Sequence, residues 1–169
     1  PVPAAGVAGS KPEWCYISSG TWSLMGVESP EPVVTDKCGQ LNFTNEGGVG
    51  DTIRLLKNIA GLWLMQECRR IWKSEGREYS WDELVEKAEQ SKPLVSLIDP
   101  DHGEFVAPKD MPAEIRNFCE RTGQPVPESE GAVVRAALEG LALRYRAVLG
   151  WLRELTGSDI RTIHIVGGG

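Results

Sequence analysis

The chain has 169 residues, 41% of them apolar, and a formal charge of −6 at pH 7. That length and apolar content suit one domain of ordinary size with a real core. The acidic balance excludes a general basic footprint, so neither nucleic acid nor an anionic membrane surface is expected as the principal partner. No apolar run reaches the roughly 18–20 residues of a membrane span. The opening Pro1-Val2-Pro3-Ala4-Ala5-Gly6 also lacks the basic and apolar regions of a leader, and the cytosol is the expected compartment. Cys15, Cys38, Cys68 and Cys119 are irregularly spaced, with no Cys-x-x-Cys and with two histidines in the chain. That pattern points to core thiols rather than a metal site or a disulfide framework.

Residues 1–14 read as a linker or fragment edge. Residues 15–169 read as part of a longer protein, because a strand that runs straight into Gly167-Gly168-Gly169 normally leads to another element. Cys15-Tyr16-Ile17 predicts a first strand, Ser18-Ser19-Gly20-Thr21-Trp22-Ser23 a turn, Trp22–Val27 a second strand and Leu41–Thr44 a third. Ser29–Gln40, with Pro30, Pro32, Asp36 and Gly39, predicts the loop between the second and third. From about Thr52 to Ser74 the positions Leu55, Leu56, Ile59, Leu62, Trp63, Cys68, Ile71 and Trp72 recur at helical spacing and predict one long, largely buried helix.

Ser80-Trp81-Asp82-Glu83 is a capping box for a short helix ending near Ser91. The connection from Lys92 to Lys109 is rich in Pro, Asp and Gly, with a short strand expected at Val95–Ile98. Asp110-Met111-Pro112 opens a further helix that stops near Thr122-Gly123. Ser129 precedes a long one, closed by Gly157, with Val133, Ala137, Leu141, Val148, Trp151 and Leu155 on its inner face. Thr162–Val166 reads as a buried strand. The whole is an α/β chain: a three-stranded antiparallel meander, helices, then a further strand. Actin-like, ribonuclease-H-like ATPase domains begin in this way, here in truncated form.

Two glycine-containing turns carry the chemistry. Ser18 to Ser23 offers hydroxyl and N–H groups that suit an anion such as a nucleotide phosphate, or it is an ordinary hairpin. Gly167-Gly168-Gly169 lets a flat ligand approach the main chain, or it is a flexible stop. Asn58 and Gln66 are amides among apolar residues. On one helix they would stand about 12 Å apart along the axis, serving separate parts of an extended ligand or separate neighbouring loops. No Walker A or protein-kinase signature is present. His164 reads as a core histidine and His102, in the Asp99–Gly103 turn, as solvated. The charges around Arg69, Arg70, Lys73, Glu75, Arg77 and Glu78 read as the wet end of the predicted helix.

Three segments taken together resemble the FGGY family of carbohydrate kinases, in its rhamnulose-phosphorylating branch. They are Tyr16-Ile17-Ser18-Ser19-Gly20-Thr21-Trp22-Ser23-Leu24-Met25-Gly26, Asn45-Glu46-Gly47-Gly48, and Leu56-Lys57-Asn58-Ile59-Ala60-Gly61-Leu62-Trp63-Leu64-Met65-Gln66-Glu67-Cys68-Arg69-Arg70. The resemblance continues through Asp110-Met111, Thr122-Gly123-Gln124-Pro125 and Leu141-Ala142-Leu143-Arg144-Tyr145 to the terminal glycines.

The resemblance implies a two-domain actin-like enzyme that transfers the γ-phosphoryl of ATP to the 1-hydroxyl of L-rhamnulose with Mg²⁺. This chain would be much of the C-terminal, nucleotide-binding domain, working with the N-terminal kinase domain of the same protein. By the same resemblance Thr21 lies at the ATP phosphates, Gln66 contacts ATP, Gly168 lies against the nucleoside and Asn58 faces the substrate. The catalytic aspartate is implied upstream, so the chain alone would transfer no phosphate. A kinase for another ketose or polyol and a non-catalytic actin-like nucleotide-binding module stay open as alternatives.

Overall fold

Alternating apolar residues build the first hairpin. In the computed structural model, which describes residues 12–168, β1 (Trp14–Ser19) and β2 (Trp22–Ser29) pair antiparallel. Tyr16 lies opposite Gly26, Ile17 opposite Met25 and Ser18 opposite Leu24. The opening residues discussed above, Pro1 to Gly6, and the terminal Gly169 lie outside the described residues. After the hairpin come a short helix α1 (Asp36–Gln40), capped by the Thr35 hydroxyl, then β3 (Thr44–Gly47) and β4 (Ile53–Ala60). The helices α2 (Trp63–Ser74), α3 (Trp81–Gln90), α4 (Met111–Arg121) and α5 (Glu130–Thr156) precede β5 (Thr162–Gly167).

The five strands form one sheet in the order β3-β4-β2-β1-β5. β3 is antiparallel to β4, and β5 is parallel to β1. A Cβ on Gly26 would come within 2.7 Å of the Leu56 Cβ, and the Thr52 hydroxyl donates to Glu28 at 3.4 Å. As the β2 number rises the β4 number falls, so these strands run antiparallel with Leu56 opposite Gly26. Gly26 thus allows β2 and β4 to approach closely, which a side chain would prevent.

The described residues fall into two compact units. One takes the residues through Ile59 and from Tyr145 onward; the other is Ala60–Arg144. In the first, Cys15, Ile17, Met25, Val27, Leu55 and Ile59 are fully or nearly fully buried, as are Val148 and Leu152 of α5. The buried Ser23 hydroxyl and the Tyr145 hydroxyl are 2.6 Å apart and hydrogen-bonded, tying α5 to β2. The second unit is helical, with Leu64, Cys68, Trp72, Leu84, Phe105, Ile115, Phe118 and Val133 in its core. Its long connection is held by polar clamps. Asp101 accepts from the Ala60 N–H at 2.7 Å and from Arg144 Nε at 2.6 Å, and the Trp63 indole N–H donates to the Phe105 carbonyl at 3.1 Å.

The capped helices follow the sequence signals. Ser80 and Glu83 form the capping box, Asp110 accepts from the Ala113 N–H ahead of an early proline, and Gly123 and Gly157 have φ of +70° and +63°. The four cysteines are free and buried, as core thiols should be.

Several finer expectations need correction. The predicted helix from Thr52 to Ser74 is a strand followed by a helix. β4 is buried on both faces, at Leu55 and Ile59 on one and Leu56 on the other. A strand covered on both sides reads as a continuous apolar run that helical spacing also fits. The third member of the meander is therefore β4, with the shorter β3 outside it, starting at Thr44 rather than Leu41. The Ser29–Gln40 loop contains α1. Val95–Ile98 forms no strand. The Gln124 amide instead donates to the Leu97 carbonyl at 2.9 Å and accepts from its N–H at 2.8 Å, occupying the place of a strand partner. β5 is not buried: Ile163 and Ile165 are exposed because β5 lies at the sheet edge. His164 is half-buried, edge-on to Trp14, rather than in the core.

Candidate functional site

The two glycine-containing turns meet at one end of the sheet. The last β1–β2 pair is Ser18 with Leu24, and Ser19, Gly20, Thr21, Trp22 and Ser23 carry the chain round beyond it. β5, running parallel to β1, ends with Gly167 opposite Ser19. Gly167 has φ +122°, and a Cβ there would run into the Ser19 backbone. Glycine is required at that position for both reasons. At Gly168 a Cβ would meet nothing within 4 Å, so the main chain stands open there.

Strand register places the third residue. Continuing the Gly26–Leu56 pairing carries Asn58 across from Leu24. Val166, Ser18, Leu24 and Asn58 then form a row across four strands on one face of the sheet. Trp22 projects from the same face as Leu24, two residues nearer the turn. The opposite face carries Ile17, Met25 and the Tyr145-bonded Ser23, all buried. The row itself is open, with Asn58 and Trp22 exposed and Ser18, Leu24 and Val166 half-buried.

Thr21, Asn58 and Gly168 therefore belong to one sheet end. Gln66 sits half-buried on α2 in the helical unit. The separation of about 12 Å expected between the two amides assumed a single helix and is withdrawn, because Asn58 lies on β4. Among the described residues, the side chains of Thr21, Asn58 and Gln66 make no hydrogen bonds. Buried amides normally find partners within the fold. Asn58 is exposed instead, and its amide is directed to solvent or ligand.

The chemistry of this sheet end is that of binding rather than proton transfer. The row and the turn hold hydroxyls, an amide, backbone N–H groups and apolar side chains, with no carboxylate among them. Two ionisable groups earlier on β1 keep their protons. Burial pushes the Cys15 thiol up to about 11 against a partial lowering by Arg153, and burial pushes the Tyr16 hydroxyl up to about 12. Sequence reasoning singled out both turns; what it missed was Trp22, whose indole is 52% exposed directly after Thr21.

Residues 15–169 match the C-terminal domain of the FGGY family of carbohydrate kinases. The chain belongs to that family. It is 53% identical over 156 residues to a rhamnulokinase of Bacteroides thetaiotaomicron, covering 92% of this chain and 31% of that protein. It is 42% identical over 166 residues to a rhamnulokinase of Enterococcus faecalis, covering 97% and 33%. The chain thus spans about a third of the length of these relatives. Among solved structures, the xylulose kinase from Bifidobacterium adolescentis superposes with a TM-score of 0.61 at 19% identity, covering 96% of this FGGY chain and 30% of that one. The actin-like fold class stands, with antiparallel strands first, helices next and a parallel strand last.

Among the described residues no group of three or more His, Cys, Asp or Glu is placed to hold a metal ion. No helix of the described residues is long and apolar enough to cross a membrane.

Proposed function

We propose that the protein containing this chain is an ATP-dependent kinase that phosphorylates the 1-hydroxyl of L-rhamnulose. Residues 15–169 supply much of its nucleotide-binding domain, and residues 1–14 lead into it. The observation that carries this reading is the convergence of the Ser19–Ser23 turn with Gly167–Gly168 at one sheet end, beside an exposed Asn58. Family membership supports the kinase class, and the shared name of the relatives supports the acceptor.

In this reading Thr21 and the N–H groups of its turn receive the ATP phosphates, where donors compensate negative charge. Gly168 lies against the nucleoside, where a bare main chain leaves room for a flat group. Gln66 contacts ATP and Asn58 the sugar. Phosphoryl transfer depends on positioning and charge stabilisation, with a carboxylate to receive the hydroxyl proton. The open row has no carboxylate, so that base is assigned to the N-terminal domain, in the two thirds of the relatives that this chain does not span. In this reading the ATP is used with Mg²⁺, which when bound would neutralise phosphate charge. The isolated chain is accordingly inactive, and the whole enzyme works in the cytosol where ATP is available.

The test is a coupled ADP-release assay on the full-length protein with ATP and L-rhamnulose, L-fuculose, L-ribulose, D-xylulose or glycerol, beside a Thr21→Ala variant. Turnover that prefers L-rhamnulose and falls with the substitution is expected. Preference for another sugar would reject the acceptor but keep the class, and absence of turnover with every sugar would reject the reading.

A further inference from the structure

Trp22 is left without a role by the folding of this unit. An indole normally buries most of its surface, whereas this one is half exposed. It sits at the first position of β2, immediately after Thr21 and on the open face of the sheet. Leu24, two residues on, continues the apolar surface on that face, and Asn58 stands across from Leu24. An apolar plane and a solvent-directed amide therefore lie side by side, next to the turn read above as the phosphate contact.

The sheet order decides which part of a ligand this surface meets. β2 lies directly beside β4, which carries Asn58, but β1 separates it from β5, which carries Gly167. At roughly 4.8 Å per strand, the indole is about one spacing from the Asn58 strand and about two from the glycine strand. The plane thus belongs to the acceptor side of the site rather than to the nucleoside side. A ring face and an amide together recognise a sugar by its C–H surface and its hydroxyls at once.

We infer that Trp22, with Leu24, is a specificity-determining surface that packs on the apolar side of the acceptor ketose and favours a terminal methyl over a hydroxymethyl group. The inference rests on the proposed kinase reading and names a contact that the reading does not contain. A hydrophobic contact of this kind discriminates one small group by about 10- to 200-fold. L-Rhamnulose and L-fructose differ only in carrying a methyl or a hydroxymethyl group at the terminal carbon, which makes them the appropriate pair of probes.

The experiment measures kcat and KM of the full-length wild type and of Trp22→Ala and Trp22→Phe, with each sugar and with ATP varied in turn. Trp22→Ala is expected to raise KM for L-rhamnulose about tenfold, with a much smaller change for L-fructose and an unchanged KM for ATP. Trp22→Phe, which keeps a flat ring, is expected to recover most of the L-rhamnulose affinity. Equal losses with both sugars, a change confined to KM for ATP, or no change in an active enzyme would overturn the inference while leaving the kinase reading intact. A wild-type enzyme that phosphorylates neither sugar would instead remove the acceptor reading on which it stands. Circular dichroism of each variant identifies a misfolded protein, and if Trp22→Ala misfolds, Trp22→Gln, which removes the ring but keeps a long side chain at this exposed position, decides by the KM pattern expected of Trp22→Ala.

Discussion

Removing the Tyr145 hydroxyl tests how the turn is held. The Ser23 side chain is fully buried, two residues beyond Thr21, and its hydroxyl is bonded to that of Tyr145 at 2.6 Å. Tyr145→Phe deletes the bond and leaves a buried hydroxyl without that partner. A typical internal hydrogen bond contributes about 1 kcal/mol net, and stranding a buried partner costs about 1–3 kcal/mol. A loss of about 2 kcal/mol in the local opening free energy is therefore expected. At about 1.4 kcal/mol per factor of ten, this corresponds to about 30-fold faster amide exchange over Ser18–Met25. Hydrogen exchange on the full-length protein measures it. Ser23→Ala in the same background should restore much of the loss, because the stranded hydroxyl is then gone, and the double-mutant cycle isolates the pair from the other contacts of Tyr145. Unchanged exchange in Tyr145→Phe, or a coupling energy near zero, would refute the assignment of this bond as the anchor of the turn.

Other residues give independent checks. Gly167→Ala places a Cβ against the Ser19 backbone at a φ of +122°; displacing a contact by about 1 Å costs about a hundredfold, so kcat/KM for ATP should fall by that order in the coupled assay. Tyr16 is 2% exposed and its hydroxyl has no hydrogen-bond partner among the described residues, so Tyr16→Phe should leave stability unchanged or raise it by up to about 1 kcal/mol in urea denaturation. A clear loss would mean that the hydroxyl is satisfied by a bound water. The Cys15 thiol stands at about 11 in the fold against an ordinary 9.0 because burial disfavours the thiolate. The folded state holds its proton longer than the unfolded chain, so its stabilising effect is intact below about pH 9 and is lost as pH rises toward 11. The urea midpoint should fall across that window, less steeply in Cys15→Ala, and equal slopes would contradict the assignment.

What the sequence revealed and what it concealed divide along a physical line. Helix ends are written locally: Ser80 with Glu83, Asp110 ahead of Pro112, and Gly157 after Thr156 satisfy or release backbone groups within a few residues. Each therefore stood where its residues indicated. Burial is settled by distant parts of the chain. β4 reads as helix because both its faces are covered, and β5 reads as core although nothing among the described residues covers Ile165. The unit boundaries fall inside β4 and α5, where no loop or composition change announces them. At the candidate site each turn was visible alone, but their meeting depends on the parallel pairing of β1 with β5, residues more than a hundred positions apart. The place of Asn58 was lost with the strand that carries it.

The two margins of the sheet differ in how they would behave in a concentrated solution. β3 is short and polar, with Glu46 paired to Arg54, and offers little for another chain to join. β5 presents Ile163 and the 67% exposed Ile165 along its outer side. Apolar, uncharged border strands of this kind template intermolecular β-pairing. Produced on its own, the chain should self-associate through that margin, and a lysine in place of Ile165 should hold it monomeric in sedimentation experiments while leaving its circular dichroism unchanged.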